Sequence, residues 1–233
     1  MRIEHQPAYV LHLKPYRDTS AIIDLLTPDY GRIAVVARGV RKNKNTKRQL
    51  LNPFHRLLIS FQGEGELKLL THFESSSGFY PLKANYLYSG LYLNELLMRL
   101  LPELDAHNDF FSLYESSVHL LHQEDEIEPT LRNFEFRLML ELGYAIDFNE
   151  DAIYHKAIKE EASYICDPDR GFIELTALDT NQELVFPGLD ILSIARQDYT
   201  QQSTRRSAKK ITRLLLKPLL GKRPLKSREL FLS

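Results

Sequence analysis

The 233-residue sequence has a single cysteine, no long apolar run and a formal net charge of only −1. A lone thiol, Cys166, excludes an internal disulfide and a four-cysteine zinc site, and fits a small buried residue. With no run near the roughly 20 apolar residues that span a bilayer, no membrane helix is expected. The start, Met1-Arg2-Ile3-Glu4-His5-Gln6-Pro7, lacks the apolar core of a signal peptide, so a cytoplasmic location is expected. Catalytic signatures are missing too. There is no G-x-x-x-x-G-K-S/T phosphate loop, no H-E-x-x-H and no G-x-S-x-G, so no enzyme activity and no cofactor are expected.

The small net charge conceals a strong segregation. Residues 1–89 hold 13 Lys and Arg against 7 Asp and Glu, residues 90–190 hold 6 against 22, and residues 191–233 hold 11 against 2. Two basic ends around an acidic middle point to a polyanion-binding surface, and nucleic acid is the first polyanion to consider. A hydrophobic content of 43% is ample for a real core.

Short β-rich runs occupy residues 8–13, 21–26, 32–37, 54–61 and 66–73, separated by the turn sequences Pro28-Asp29-Tyr30-Gly31 and Gly63-Glu64-Gly65. Five strands with one long connection, residues 39–53, suit an OB-fold barrel; an SH3-like barrel fits the same count. From residue 86 the apolar spacing becomes helical, predicting helices over 86–101, 109–123, 129–142, 187–199 and 204–218. Residues 150–186 lose clear periodicity. The fold class is therefore α+β, with an N-terminal five-stranded OB-fold over residues 1–80. An all-helical domain over 81–233 follows, containing one small irregular, zinc-less insertion.

The long barrel connection is the strongest chemical signal. Arg38, Arg41, Lys42, Lys44, Lys47 and Arg48 put six cations and no acid into eleven residues, a composition that can track phosphates without reading bases. The competing reading is a solvated loop. In the last predicted helix, Arg206, Lys210, Arg213 and Lys217 fall on one stripe at about 100° per residue, opposite Ala208, Ile211 and Leu215. That stripe is either a second phosphate contact or a set of charges offsetting the acidic middle. The helix over 129–142 has one apolar face of Leu131, Phe134, Leu138 and Leu142, and a second of Phe136 and Met139 with Arg132 at its edge. A second apolar face edged by a cation suits a peptide carrying an aromatic side chain and a carboxylate, or else packs on another helix. Two weaker patterns are Asp29 with Glu66-Leu67-Lys68, which loosely match nuclease carboxylates and lysine, and His119 with His122, three apart on one helix.

Four blocks in order carry a resemblance. They are Ala8-Tyr9-Val10-Leu11 with Tyr30-Gly31-Arg32 and Ala37-Arg38-Gly39-Val40-Arg41; Leu87-Tyr88-Ser89-Gly90-Leu91-Tyr92-Leu93-Asn94-Glu95-Leu96-Leu97; Leu131-Arg132-Asn133-Phe134-Glu135 with Leu142-Gly143-Tyr144; and the ending Leu219-Leu220-Gly221-Lys222-Arg223-Pro224-Leu225-Lys226-Ser227-Arg228-Glu229-Leu230-Phe231. Together they resemble the RecO family of bacterial DNA repair and recombination mediators. The resemblance implies an OB-fold, binding of single- and double-stranded DNA, annealing of complementary strands and association with the nucleoid. It also implies two partners, RecR and the acidic, phenylalanine-ending tail of single-stranded DNA-binding protein, through which the recombinase is loaded. That tail directs attention to Arg132, Phe136 and Met139. Some relatives carry a four-cysteine zinc module after the helical segment; with only Cys166 here, residues 150–180 are expected to keep its shape, with a hairpin near Asp169-Arg170-Gly171-Phe172, and no metal. A protein-only adaptor and a metal-dependent nuclease are the alternatives to a DNA-annealing mediator.

Overall fold

A computed structural model describes residues 1–41, 46–106, 108–124, 126–175 and 185–231, without the side chains of residues 46, 47, 77–79 and 108. Five strands, β1 (Arg2–Tyr16), β2 (Ser20–Thr27), β3 (Gly31–Ala37), β4 (His55–Gln62) and β5 (Leu67–Phe79), close into a barrel in the order β1-β2-β3-β5-β4. Every neighbouring pair is antiparallel except β3 and β5. This closed five-stranded order is that of an OB-fold and sets the SH3-like alternative aside. Strict alternation along β3 sends Ile33, Val35 and Ala37 inward to meet Val10, Ile23, Leu25, Leu57, Ile59 and Phe61. β1 outruns its apolar stretch because it serves two neighbours: residues 2–9 pair with β4, and residues 9–16 pair with β2.

Compactness does not divide the chain at residue 80. The first compact unit runs from Met1 to Ile127 and takes back Pro224–Ser233 at the end. Two helices, α1 (Ala84–Leu100) and α2 (Asn108–His122), join the barrel in it through buried polar contacts. Asn94 on α1 donates from Nδ2 to the Leu11 carbonyl at 2.9 Å and accepts the Tyr114 hydroxyl of α2 at 2.7 Å. Tyr9 packs on the rings of Phe111 and Tyr114 and donates to Glu115 at 2.9 Å, a carboxylate that also holds Arg56 of β4 at 2.9 Å. The last residues form a 3-10 helix, Lys226–Phe231, anchored when Glu95 accepts the backbone N–H groups of Lys226 and Ser227 and the Ser227 hydroxyl at 2.6–2.9 Å.

The second unit spans Glu128–Arg223. It holds most of α3 (Ile127–Glu141), then β6 (Ser163–Asp167), β7 (Gly171–Glu174), β8 (Val185–Pro187), α4 (Gly188–Ala195) and α5 (Gln202–Leu220). The stretch expected to be irregular therefore contains a three-stranded antiparallel sheet ordered β7-β6-β8, so this part of the chain is not all helical. Its strands are too short, three to five residues, to show a period. The β6–β7 hairpin turns at residues 168–170, where Asp167 accepts the backbone N–H groups of Asp169 and Arg170, as the sequence predicts.

Asp151 ties this sheet to the loop that precedes it. Its carboxylate is 3% exposed and accepts backbone N–H groups from Ile153, Tyr154 and Glu174 at 2.7–2.9 Å, tying the loop at 151–154 to the end of β7. Burial pushes the carboxyl pKa up, but the three N–H donors, with His155 behind them, outweigh it and hold the group below the usual aspartate range. Cys166, on β6, is 2% exposed, and burial with the neighbouring Asp167 charge pushes its thiol up to about 12, which leaves it inert.

Gly31 sits at φ +61°, and a Cβ there would meet the Asp105 carbonyl oxygen at 1.8 Å; Gly31→Ala should cost about 2–4 kcal/mol in urea unfolding, from left-handed strain plus backbone overlap. A carboxyl with a lowered folded pKa stabilises above its unfolded value, near 3.8, and loses that contribution as the pH falls through the folded value. Asp151→Asn should therefore lower the unfolding temperature at pH 7, and the gap from the parent protein should narrow as the pH is taken below about 4.

Candidate nucleic-acid interface and peptide groove

The basic connection leaves β3 at Ala37. Arg38 is exposed, and Arg41 is held at the start of the loop by two bonds to the β1–β2 turn. Its backbone N–H donates to the Thr19 carbonyl at 2.9 Å and its guanidinium to the Arg17 carbonyl at 3.1 Å. The chain is next described at a 3-10 helix, Thr46–Leu51, where Arg48 is exposed while Leu51 enters the barrel core. Lys42 and Lys44 lie outside the described residues, as does the side chain of Lys47. The entry of the loop is thus anchored to the barrel, and its described cations face solvent where a phosphate can reach them.

On α5 the predicted stripe is present. Arg206, Lys210, Arg213 and Lys217 are all exposed, while Ala208, Ile211, Leu215 and Leu216 are buried. The rotation of the helix is fixed at its first turn, where Asp190 of α4, itself 4% exposed, accepts the Thr204 hydroxyl at 3.0 Å and the Ser207 hydroxyl at 2.6 Å. Lys209, one position off the stripe, pairs with Glu128 at 3.5 Å. None of the four stripe cations has an acidic partner among the described residues.

On α3 the three residues singled out from sequence share one face of the helix but not the same exposure. Arg132 is 6% exposed and turns inward, its guanidinium donating to Glu135 at 2.8 Å on the next turn, and Met139 is 1% exposed. Tyr199 belongs to the same neighbourhood. Burial pushes its hydroxyl up to about 12, with the Arg132 charge opposing the rise and the Glu135 charge adding to it. Only Phe136 reaches an opening, a cavity of about 240 Å3 lined with Arg137, Leu140, Phe148, Ile194 and Tyr199. Phe136 stands edge-on to Phe148 at 5.1 Å, and Phe148 stands edge-on in turn to Phe172 of β7 at 5.2 Å. The cation at the rim is Arg137, exposed and paired with Glu141 at 2.9 Å. An apolar cavity with an aromatic wall and one rim guanidinium therefore exists, but the guanidinium is not that of Arg132. The Arg132–Glu135 spacing of three was the sequence signal for an ion pair along the helix.

The weaker patterns have structural roles. His119 and His122 both stand against the Tyr80 ring, at 5.3 and 5.4 Å. Lys68 is 5% exposed with its ammonium on the Gly65 carbonyl at 3.0 Å, while Asp29 and Glu66 are exposed. Among the described residues no three His, Cys, Asp or Glu side chains gather in a way that could hold a metal ion, and no helix is long and apolar enough to cross a membrane.

The family model described as Recombination protein O N terminal matches residues 1–79, and that described as Recombination protein O C terminal matches residues 83–229. A protein of Cellvibrio japonicus named DNA repair protein RecO is 54% identical over 99% of this chain and 98% of its own. Proteins of the same name from Alteromonas mediterranea and Haemophilus influenzae are 40% and 39% identical, over 100% and 99% of this chain and 99% and 97% of theirs.

The inward Arg132 makes a stability prediction that any binding assay on it must take into account. Arg132→Ala removes the guanidinium paired with a buried carboxylate and should cost about 3–5 kcal/mol in chemical denaturation, whereas replacing Arg132 and Glu135 together by Met and Leu should recover most of that loss.

Proposed function

Because the chain belongs to the RecO family of DNA repair and recombination proteins, we propose that it binds single- and double-stranded DNA through its two basic elements and anneals complementary strands. The observation that carries this reading is the α5 stripe, four exposed cations without acidic partners among the described residues, on a helix whose opposite side is locked into its unit. Annealing requires that the charge of two strands be neutralised together while the base edges stay free to pair. Long, sequence-neutral Lys and Arg contacts meet both conditions. In this reading Arg38, Arg41, Lys42, Lys44, Lys47 and Arg48 hold one strand, and Arg206, Lys210, Arg213 and Lys217 hold the other. Lys222, Arg223, Lys226 and Arg228, all exposed, assist.

The cavity beside Phe136 is assigned to the acidic tail of single-stranded DNA-binding protein. A terminal phenylalanine would enter against Phe136 and Phe148, and its carboxylate would meet Arg137, while Arg132 and Met139 support the wall from behind. Displacement of coat protein through that contact, together with RecR, would open the strand for recombinase loading. No step in this scheme breaks or makes a covalent bond, so no catalytic residue is required.

Replacing Arg206, Lys210 and Arg213 together by Ala should reduce the slope of log affinity against log salt by roughly two to three units without a change in unfolding temperature. An unchanged slope would remove α5 from the DNA site. Annealing of complementary oligonucleotides coated with single-stranded DNA-binding protein should be accelerated without ATP when the coat protein keeps its tail, and not when the tail is deleted. Tail-peptide binding without acceleration on either coat would favour a protein-only adaptor.

A further inference from the structure

The β1–β2 turn has features that a purely phosphate-binding loop would not need. Tyr16 closes β1 opposite Ser20, and the Arg17 guanidinium lies over the Tyr16 ring at 5.1 Å from its centroid. Arg17 adopts φ +49°, a conformation L-residues seldom take, and it folds the guanidinium back over the preceding ring. Register then brings the loop cations alongside. Tyr16 pairs with Ser20, and Ala21 pairs with Ala37 at the end of β3, so Arg38 leaves β3 one residue beyond the pair next to Ser20. Lys14, two residues before Tyr16 on the same outward side of β1, is exposed. Arg41 fastens the far edge, bonded to the carbonyls of both Arg17 and Thr19. One cation, Arg17, thus lies on a partly buried aromatic ring, and three more, Lys14, Arg38 and Arg41, belong to the same end of the β1–β2–β3 segment, with Asp18 as the acid of the turn.

We propose that Tyr16 with Arg17 is a base-stacking platform for one unpaired nucleotide, whose flanking phosphates are held by Arg38 and Arg41. The inference deepens the DNA-binding reading above and rests on it. Its chemistry is that of sequence-tolerant single-strand binding, in which each base offers a π-face to an aromatic ring or a guanidinium plane while cations follow the backbone. A duplex cannot use the platform, since its bases are already stacked on one another. The platform therefore gives the barrel a preference for unpaired strand, and frees the nucleotide again once a complementary strand has captured it.

The test is fluorescence anisotropy at one fixed salt concentration with two labelled single strands of equal length, one of mixed sequence and one lacking its bases. The proteins are the full chain and its Tyr16→Ala, Tyr16→Leu and Tyr16→Phe variants. Ala removes the ring, Leu keeps apolar bulk without a π-face, and Phe keeps the ring, so a poorly folded Ala variant still leaves a Leu–Phe comparison. Ala and Leu should each bind the normal strand about tenfold more weakly while holding the base-free strand within about twofold, and Phe should match the parent. Equal weakening on both strands, or no weakening on either, would overturn the platform. If the parent protein binds neither strand, the DNA-binding reading falls and takes the platform with it; if the parent binds and the Tyr16 variants bind equally well, only the platform falls.

Discussion

A single hydrogen bond, from the Asn94 amide of α1 to the Leu11 carbonyl of β1, fixes the geometry on which the barrel's outer surface depends. The β1–β2 register slips between Val10 and His12, so Leu11 is the extra residue of a bulge. A carbonyl left out of the ladder in a buried place needs another partner, and Asn94, itself 3% exposed, supplies it. The bulge also shifts the alternation by one. Ala8 and Val10 point into the barrel before it, and Leu13 does so after it. Without that slip, Lys14 and Tyr16 would be directed at the core, where neither is tolerated. The bond that joins α1 to the barrel is thus also the one that turns a lysine and a tyrosine outward beside the basic loop. Tyr114, which donates to the other end of the same amide, holds it in one orientation.

The second unit solves a similar problem with carboxylates. Asp190 fixes the first turn of α5 through Thr204 and Ser207, and the basic stripe faces outward because those two residues face inward. Asp151 gathers three backbone N–H groups from two separate segments. In a region of short strands and loops with a lone, inert cysteine, such a carboxylate does what a bound cation would otherwise do, joining segments too short to stabilise one another by pairing alone. The cost is a dependence on ionisation that a metal-free apolar core would not have.

Much of this was legible in the sequence, and what was not has identifiable causes. Barrel strands appear as period-two runs because one face of each is buried, and the five helices carry the wider apolar stripes of helix packing. The sheet of β6, β7 and β8 was missed because three to five residues cannot establish a period. The first compact unit extends past residue 80 because polar residues, Asn94 and Tyr114, hold α1 and α2 to β1, and hydropathy says nothing about such bonds. Helical spacing placed Arg132 at the edge of a second apolar face, yet its acid one turn later allowed the charge to be buried. Tyr16 and Arg17 escaped notice because a bulge changes which side of a strand a residue occupies, and no one-residue slip is visible in a pattern of alternation.

The same contrast between paired and unpaired charge bears on why the basic elements exist at all. If the cations of α5 served only to balance the acidic middle of the chain, they would sit against its carboxylates. Lys209 does so with Glu128, and Arg137 does so with Glu141. Arg206, Lys210, Arg213 and Lys217, interleaved with Lys209 on the same helix, do not pair with any acid among the described residues. Exposed pairs are worth little, about 0–1 kcal/mol, so stability is not lost by leaving these four unpaired. Their free charge instead adds to a local positive field that persists over roughly a Debye length, about 10 Å at 0.1 M salt, regardless of a net charge near zero. A chain can therefore be neutral in total and still present to a phosphate backbone the field of a basic protein, provided that its acids are paired or held elsewhere.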